Sequence, residues 1–168
     1  MFNKSWLLPL AFLCLAGCDS QRVVTSVNQM YTAEWGTSTE LDEANVWKTL
    51  QTFVVVSTAD TCTLTALFVA ECHGAKTLHV EPLGAQVNVH DIVGAPVSVR
   101  ILIDDQVASP PEAIATSHFL PATHSFLASK RGAMPGTHTI TVQWRSSRVG
   151  AIMGARTLTV WEAIERRS

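Results

Sequence analysis

The sequence predicts an all-β protein, a two-sheet antiparallel β-sandwich of jelly-roll or Greek-key type, preceded by an N-terminal signal helix and a flexible tether. Three observations carry the prediction. Charged residues make up only 15% of the 168 positions, and Thr, Ser, Ala and Val dominate, a usage that suits strands better than helices. From Thr52 onward, short runs rich in Val, Ile, Thr, Phe and Trp are separated by turn residues. Several runs also alternate with period two, so that one face packs and the other meets water.

The chain opens with Lys4 as a positive segment and an apolar run from Trp6 to Ala16, broken only by Pro9. This is the anatomy of a signal peptide spanning residues 1–17. The run is about half of the roughly 20 apolar residues a bilayer-spanning helix needs. It ends at Leu15-Ala16-Gly17-Cys18, which resembles the lipobox of bacterial lipoproteins. The resemblance implies that Cys18 is diacylated on sulfur, becomes the new N-terminus after cleavage, and holds the protein to membrane lipid. Two or three acyl chains suffice for stable anchoring, whereas one does not. Asp19 resembles the inner-membrane retention signal of enterobacterial lipoproteins. Both membranes of the cell envelope stay open as locations, since that rule varies between bacterial groups.

The segment from Asp19 to about Thr37 is rich in Ser, Thr, Gln and Asn, with hydrophobic residues at no fixed period. It reads as a tether, so residues 18–50 form the lipidated cysteine and linker, and residues 51–168 the sandwich. Leu41 to Leu50 fits either a helical turn or the lead into the first strand, and the second reading is preferred.

Strands are expected at Phe53–Ser57, Cys62–Cys72, Leu78–Glu81, Gln86–His90, Val97–Ile103, Ala113–Phe119, Ser125–Ala128, His138–Arg145 and Thr157–Trp161. Val97, Val99, Ile101 and Ile103 share one face against Ser98, Arg100 and Leu102. Ile140, Val142 and Trp144 oppose Thr139, Thr141 and Gln143. Asp104-Asp105, Ser109-Pro110-Pro111, Pro135-Gly136 and the Gly150 region supply the bends. About nine such strands make a two-sheet sandwich.

Two stretches carry a further resemblance. Pro135-Gly136-Thr137-His138-Thr139-Ile140-Thr141-Val142-Gln143-Trp144-Arg145, followed by Arg156-Thr157-Leu158-Thr159-Val160-Trp161-Glu162, looks like the closing hairpin of jelly-roll domains in bacterial and phage surface proteins. Val97 to Asp105 is similar to a matching strand of that group, whose outline resembles the C1q/TNF-like sandwiches. The resemblance implies fold more than function, and adds a homotrimer as a possible assembly.

Cys62 and Cys72 would be the default disulfide of an oxidising compartment. No Gly, Pro, Asn or Asp turns the chain between them. A single strand holds the sulfurs roughly 30 Å apart, against Cα separations of about 4.4–6.8 Å in a disulfide. Two buried or half-buried thiols are therefore expected.

The formal net charge of −2 argues against a nucleic-acid partner, which requires a basic stripe. His73, His79, His90, His118, His124 and His138 lack the spacings of a compact metal site, and no CxxC or HExxH occurs. His124 and His138 read as strand residues whose rings pack and whose nitrogens bond to backbone. There is no GxSxG, and Asp104-Asp105, Glu112, Glu71 and Glu81 read as solvated acids rather than a glycosidase pair. Neither catalysis nor a cofactor is expected.

The aromatic residues Tyr31, Trp35, Trp47, Trp144 and Trp161 carry the binding potential. Trp144 continues the face of Ile140 and Val142 and belongs to the core. Trp161 fits either rim or core. Tyr31 and Trp35 fall in the expected tether, with no core beneath them unless they fold back, and are the candidate partner contacts. The expectation is thus an envelope lipoprotein whose sandwich binds or scaffolds a protein or glycan. A jelly-roll hydrolase or metal-dependent envelope enzyme is the alternative, and a subunit of a trimeric surface assembly the second.

Overall fold

A computed structural model describes residues 24–74, 79–83, 86–90, 95–115 and 122–165. Cys18, the leader and His118 lie outside the described residues. Every element is a strand: β1 (Val24–Trp35), β2 (Thr39–Glu40), β3 (Lys48–Ser57), β4 (Cys62–His73), β5 (His79–Leu83), β6 (Gln86–His90), β7 (Val97–Ile103), β8 (Gln106–Val107), β9 (Ala113–Ala115), β10 (Ala122–Ala133), β11 (Gly136–Ser146) and β12 (Ile152–Glu165).

The strands form two main antiparallel sheets and a small β5–β6 hairpin. Sheet A runs β1-β12-β4-β10, with β2 beside β12; sheet B runs β3-β11-β7-β8, with β9 beside β7. Among the long strands, β3, β4, β7, β10, β11 and β12 alternate between the sheets. The first strand lies beside the last in one sheet, and β3 lies beside β11 in the other. That order is the jelly roll.

Alternation places the core where the sequence implied. On β4, β7 and β11 every second residue is buried. Phe68, Ile101, Ile103, Ile140, Trp144, Leu158 and Val160 meet between the sheets. Trp161 takes the outer face of β12, half-buried, between the buried Val160 and Glu162.

Three expectations need correction. The polar stretch read as a tether is a strand from Val24, pairing with β12 from Val24↔Glu165 to Trp35↔Arg156. Its period is real but half-hidden: Gln29, Tyr31, Ala33 and Trp35 face inward, while Met30 and Val27 stay exposed because β1 is an edge strand. Irregular register between Val24 and Gln29 blurs the pattern further. Second, the stretches read as a closing hairpin belong to different sheets, β11 to sheet B and β12 to sheet A. Each buries one face against the opposite layer, so the connection crosses the sandwich instead of turning within a sheet. Third, β3 starts at Lys48, not Phe53.

Cys62 and Cys72 sit at the two ends of β4, both on its buried face. Burial, and then the charge of neighbouring Glu71, push the Cys72 thiol up to about 11. At neutral pH it stays protonated, a small apolar plug.

The turn between β7 and β8 is a tie between layers. Asp104 and Asp105 both adopt left-handed backbone, with φ of 53° and 62°, as a two-residue type I′ hairpin requires. Asp104 Oδ2 accepts from His138 Nδ1 at 2.8 Å and from Lys130 Nζ at 3.2 Å, and Oδ1 accepts from the Thr139 N–H at 3.0 Å. His138 Nε2 lies 2.8 Å from the Met134 carbonyl. Both ring nitrogens thus face oxygen atoms. His138 therefore bonds to backbone on one side only; the other side holds a carboxylate.

Burial raises the Asp104 carboxyl, but the hydrogen bonds from His138, Thr139 and Lys130 outweigh it and hold the group below its usual range. The stability this contributes is present above the ordinary carboxyl pKa and is lost as pH falls toward the lowered folded value. Asp104→Asn, which tolerates the same backbone, is expected to cost about 2 kcal/mol at pH 7. It should also flatten the acid loss of stability. Urea melts at pH 7 and pH 3 check both, and equal differences at the two pH values would contradict the assignment.

Candidate functional site

The registers define two poles. Val24, Ser57, Cys62, Gly136 and Glu165 lie at one, through Val24↔Glu165, Ile164↔Cys62, Ala133↔Cys62 and Gly136↔Ser57. Trp35, Lys48, Val97, Ser146 and Ile152 lie at the other. A cluster of polar and aromatic side chains occupies this second pole, on the outer face of sheet B.

Its framework is the β7–β11 pair. Gln143 stands opposite Arg100, and Arg145 opposite Ser98, so alternation points all four away from the core. Arg100 Nε donates to Gln143 Oε1 at 2.8 Å, and Gln143 Nε2 donates to Thr49 Oγ1 at 3.3 Å. Trp47 lies over both arginines, with the Arg100 and Arg145 guanidinium carbons 4.3 and 4.6 Å from its ring centroid. Such contacts fix the cations over the π-face.

A register shift brings Trp47 there. Val142 faces Gln51 and Gln143 faces Thr49, so Leu50 is the extra residue of a β-bulge. Leu50 turns into the core while Thr49 reaches Gln143 on the outer face. The loop before β3 is pinned by the Asn45 N–H donating to the Ser146 carbonyl at 2.7 Å, with Asn45 at φ 61°. Asn is among the few side chains that accept this conformation.

Glu112, immediately before β9, faces Arg145. Arg145 Nη2 donates to both carboxylate oxygens at 3.1 and 3.2 Å. A hydrogen bond from Ser98 holds the Glu112 carboxyl below its usual range, against the effect of burial and with help from Arg145 and Arg100. Beside it opens a shallow cavity of about 180 Å³ lined by Asn45, Pro96, Ser98, Arg145, Ser146 and Ser147. Its lining carries three serine hydroxyls, an amide and a guanidinium.

The structure places the expected contact residues elsewhere. Tyr31 and Trp35 lie half-buried on the inner side of β1, packed against the core. The Tyr31 hydroxyl donates to the Val56 carbonyl at 2.6 Å and also contacts Gln29 Oε1. Their candidacy rested on the absence of a core beneath them, and the core is there. The candidate site gathers instead around Trp47, one of the aromatics named for binding potential, with Glu112, read as a solvated acid, and Arg100 and Arg145, to which the sequence reading gave no role. Arg100 and Arg145 each fall on the polar side of an alternating strand, which is the signal that was present; their convergence under one Trp depends on the bulge. Among the described residues, no group of three or more His, Cys, Asp or Glu side chains could hold a metal ion.

No known protein family and no curated protein matches this sequence. Among solved structures, the chain is similar to that of infectious bursal disease virus Gx strain, at 11% identity and a TM-score of 0.34, covering 92% of this chain and 47% of that one. It is likewise similar to the infectious bursal disease virus VP2 subviral particle, at 12% identity and a TM-score of 0.34, covering 95% of this chain and 51% of that one. The chain spans about half the length of these structures. Its class, an all-β jelly roll, follows from its own strand order.

Proposed function

We propose that the chain is a bacterial envelope lipoprotein, held to membrane lipid through acylated Cys18, whose jelly roll is a binding module without chemistry of its own. The observation that supports this most is the short distance between the lipobox cysteine and the sandwich. Only residues 19–23 separate Cys18 from Val24, where β1 begins. Extended, that link reaches about 20 Å. Val24 lies at the pole opposite Trp47, Arg100 and Arg145, so an anchor at Cys18 leaves the polar cluster and its cavity turned away from the lipid.

The test compares native protein with Cys18→Ala by membrane fractionation. The native chain is expected to sediment almost wholly with membranes and to need detergent for release, whereas most of the Cys18→Ala protein should stay in the soluble fraction. Equal membrane association of the two forms would end the anchoring proposal.

A further inference from the structure

We propose that the Arg100–Arg145 pair and the cavity beside it bind an acidic saccharide, its acid group seated against the guanidiniums and its hydroxyls against the cavity wall. This rests on reading the sandwich as a binding module and names what that module takes. The two cations are gathered at one place: they are diagonal neighbours on β7 and β11, and a single Trp47 ring lies 4.3 and 4.6 Å from their guanidinium carbons. Drawing two like charges together is unfavourable by itself, and within the cluster Glu112 compensates one of them. The other nearby acids, Asp42 and Glu43, are engaged by Lys48 at 3.6 and 2.7 Å. The two arginines thus exceed Glu112 by one positive charge, while the single Lys48 leaves one of its two carboxylates uncompensated, so the excess is local to the arginine pair.

Donors are left over as well. Both contacts to Glu112 come from Arg145 Nη2, and Arg100 uses Nε on Gln143. Among the described residues, the other N–H groups of both guanidiniums have no protein acceptor. Glu112 shows that a carboxylate fits against Arg145, and planar guanidinium donors suit carboxylates in general. The cavity then selects what carries the acid. Of its six lining residues, three offer hydroxyls, one an amide and one a guanidinium, and Pro96 is the only apolar one. That lining offers hydrogen-bonding groups to a polyhydroxylated guest, with Ser98 already turned to Glu112 and Ser146 Oγ already accepting from the Arg148 N–H. At about 180 Å³, it suits a single small polar ring.

The test is an NMR titration of the full-length protein in detergent micelles. It follows the Trp47 indole N–H, assigned through Trp47→Phe, with galacturonate and N-acetylneuraminate as acidic probes, glucose as the neutral sugar and inorganic phosphate as the bare anion. At least one acidic sugar is expected to shift the signal to saturation, at least about tenfold more tightly than glucose or phosphate, and Arg100→Gln should weaken it by about tenfold or more. Should Arg100→Gln fail to melt cooperatively, Arg100→Lys replaces it, keeping the charge while losing the planar fork, and several-fold weakening is expected. Glucose binding as tightly would remove the acid from the proposal, and phosphate binding as tightly would remove the sugar. Absence of saturation with both acidic sugars, or unchanged affinity in the arginine variant, would overturn it outright. Repeating the titration on the Cys18→Ala chain separates the two proposals, since loss of anchoring leaves this binding intact.

Discussion

A chain lacking residues 24–35 is expected to lose cooperative unfolding and to aggregate. Were this stretch a tether, its removal would leave the sandwich untouched. As β1 it covers the flank of β12 from Val24↔Glu165 to Trp35↔Arg156, with β2 pairing only Ile152 and Met153 beyond it. Deleting it bares a long edge of unpaired backbone groups, the feature that templates intermolecular pairing. It also removes Tyr31 and Trp35 from the core margin and the Tyr31 bond to the Val56 carbonyl that joins the edges of the two sheets. The check is thermal melting by circular dichroism together with sedimentation. A soluble truncated chain with a melting transition like that of the intact protein would show β1 to be dispensable.

The second large effect is expected in the core. Trp144 is 1% exposed and lies on the buried face of β11 with Ile140 and Val142. Trp144→Ala should destabilise the fold by about 3–5 kcal/mol, the transfer free energy of the indole plus the cost of the cavity left behind. Trp161→Ala, on the outer face of β12, should cost about 1 kcal/mol or less. Urea denaturation of both variants measures the contrast, and similar losses would mean that the two indoles do not sit on opposite faces.

Within the two main sheets, the strands best read from the sequence are those buried on one face and paired on both sides, and the hairpin strand β6 was likewise delimited to the residue. β7 was delimited to the residue, and the buried faces of β7 and β11 followed from strict alternation, because a one-residue slip would turn their hydrophobic sets to solvent. Legibility fails where that constraint relaxes. β1 has a neighbour on one side only and tolerates Val27 and Met30 in solvent, so its period is diluted to the look of a linker. β3 is interrupted at Leu50, where the bulge changes which side chains face inward. The candidate site was legible only in part: Trp47 and Glu112 stood out singly, but not their convergence with Arg100 and Arg145. Its residues come from the loop before β3, from β7, from β11 and from the approach to β9, and only register and bulge bring them under Trp47. Asp104 shows the converse. The sequence marks the turn, but not that its carboxylate would be reached by His138 and Lys130.

The pairing of β1 with β12 also bears on when the molecule can fold. In sheet A the last strand sits between the first and β4, so neither β1 nor the inner flank of β4 has its neighbour until residues 152–165 have been made. Nearly all the pairings that define the two layers join distant parts of the chain, and such topologies fold slowly because long loops must close before any contact rewards them. A nascent chain therefore cannot close the sandwich before residues 152–165 have emerged, so β1 and β4 must wait, each with an unpaired flank, for a strand made more than a hundred residues after the first.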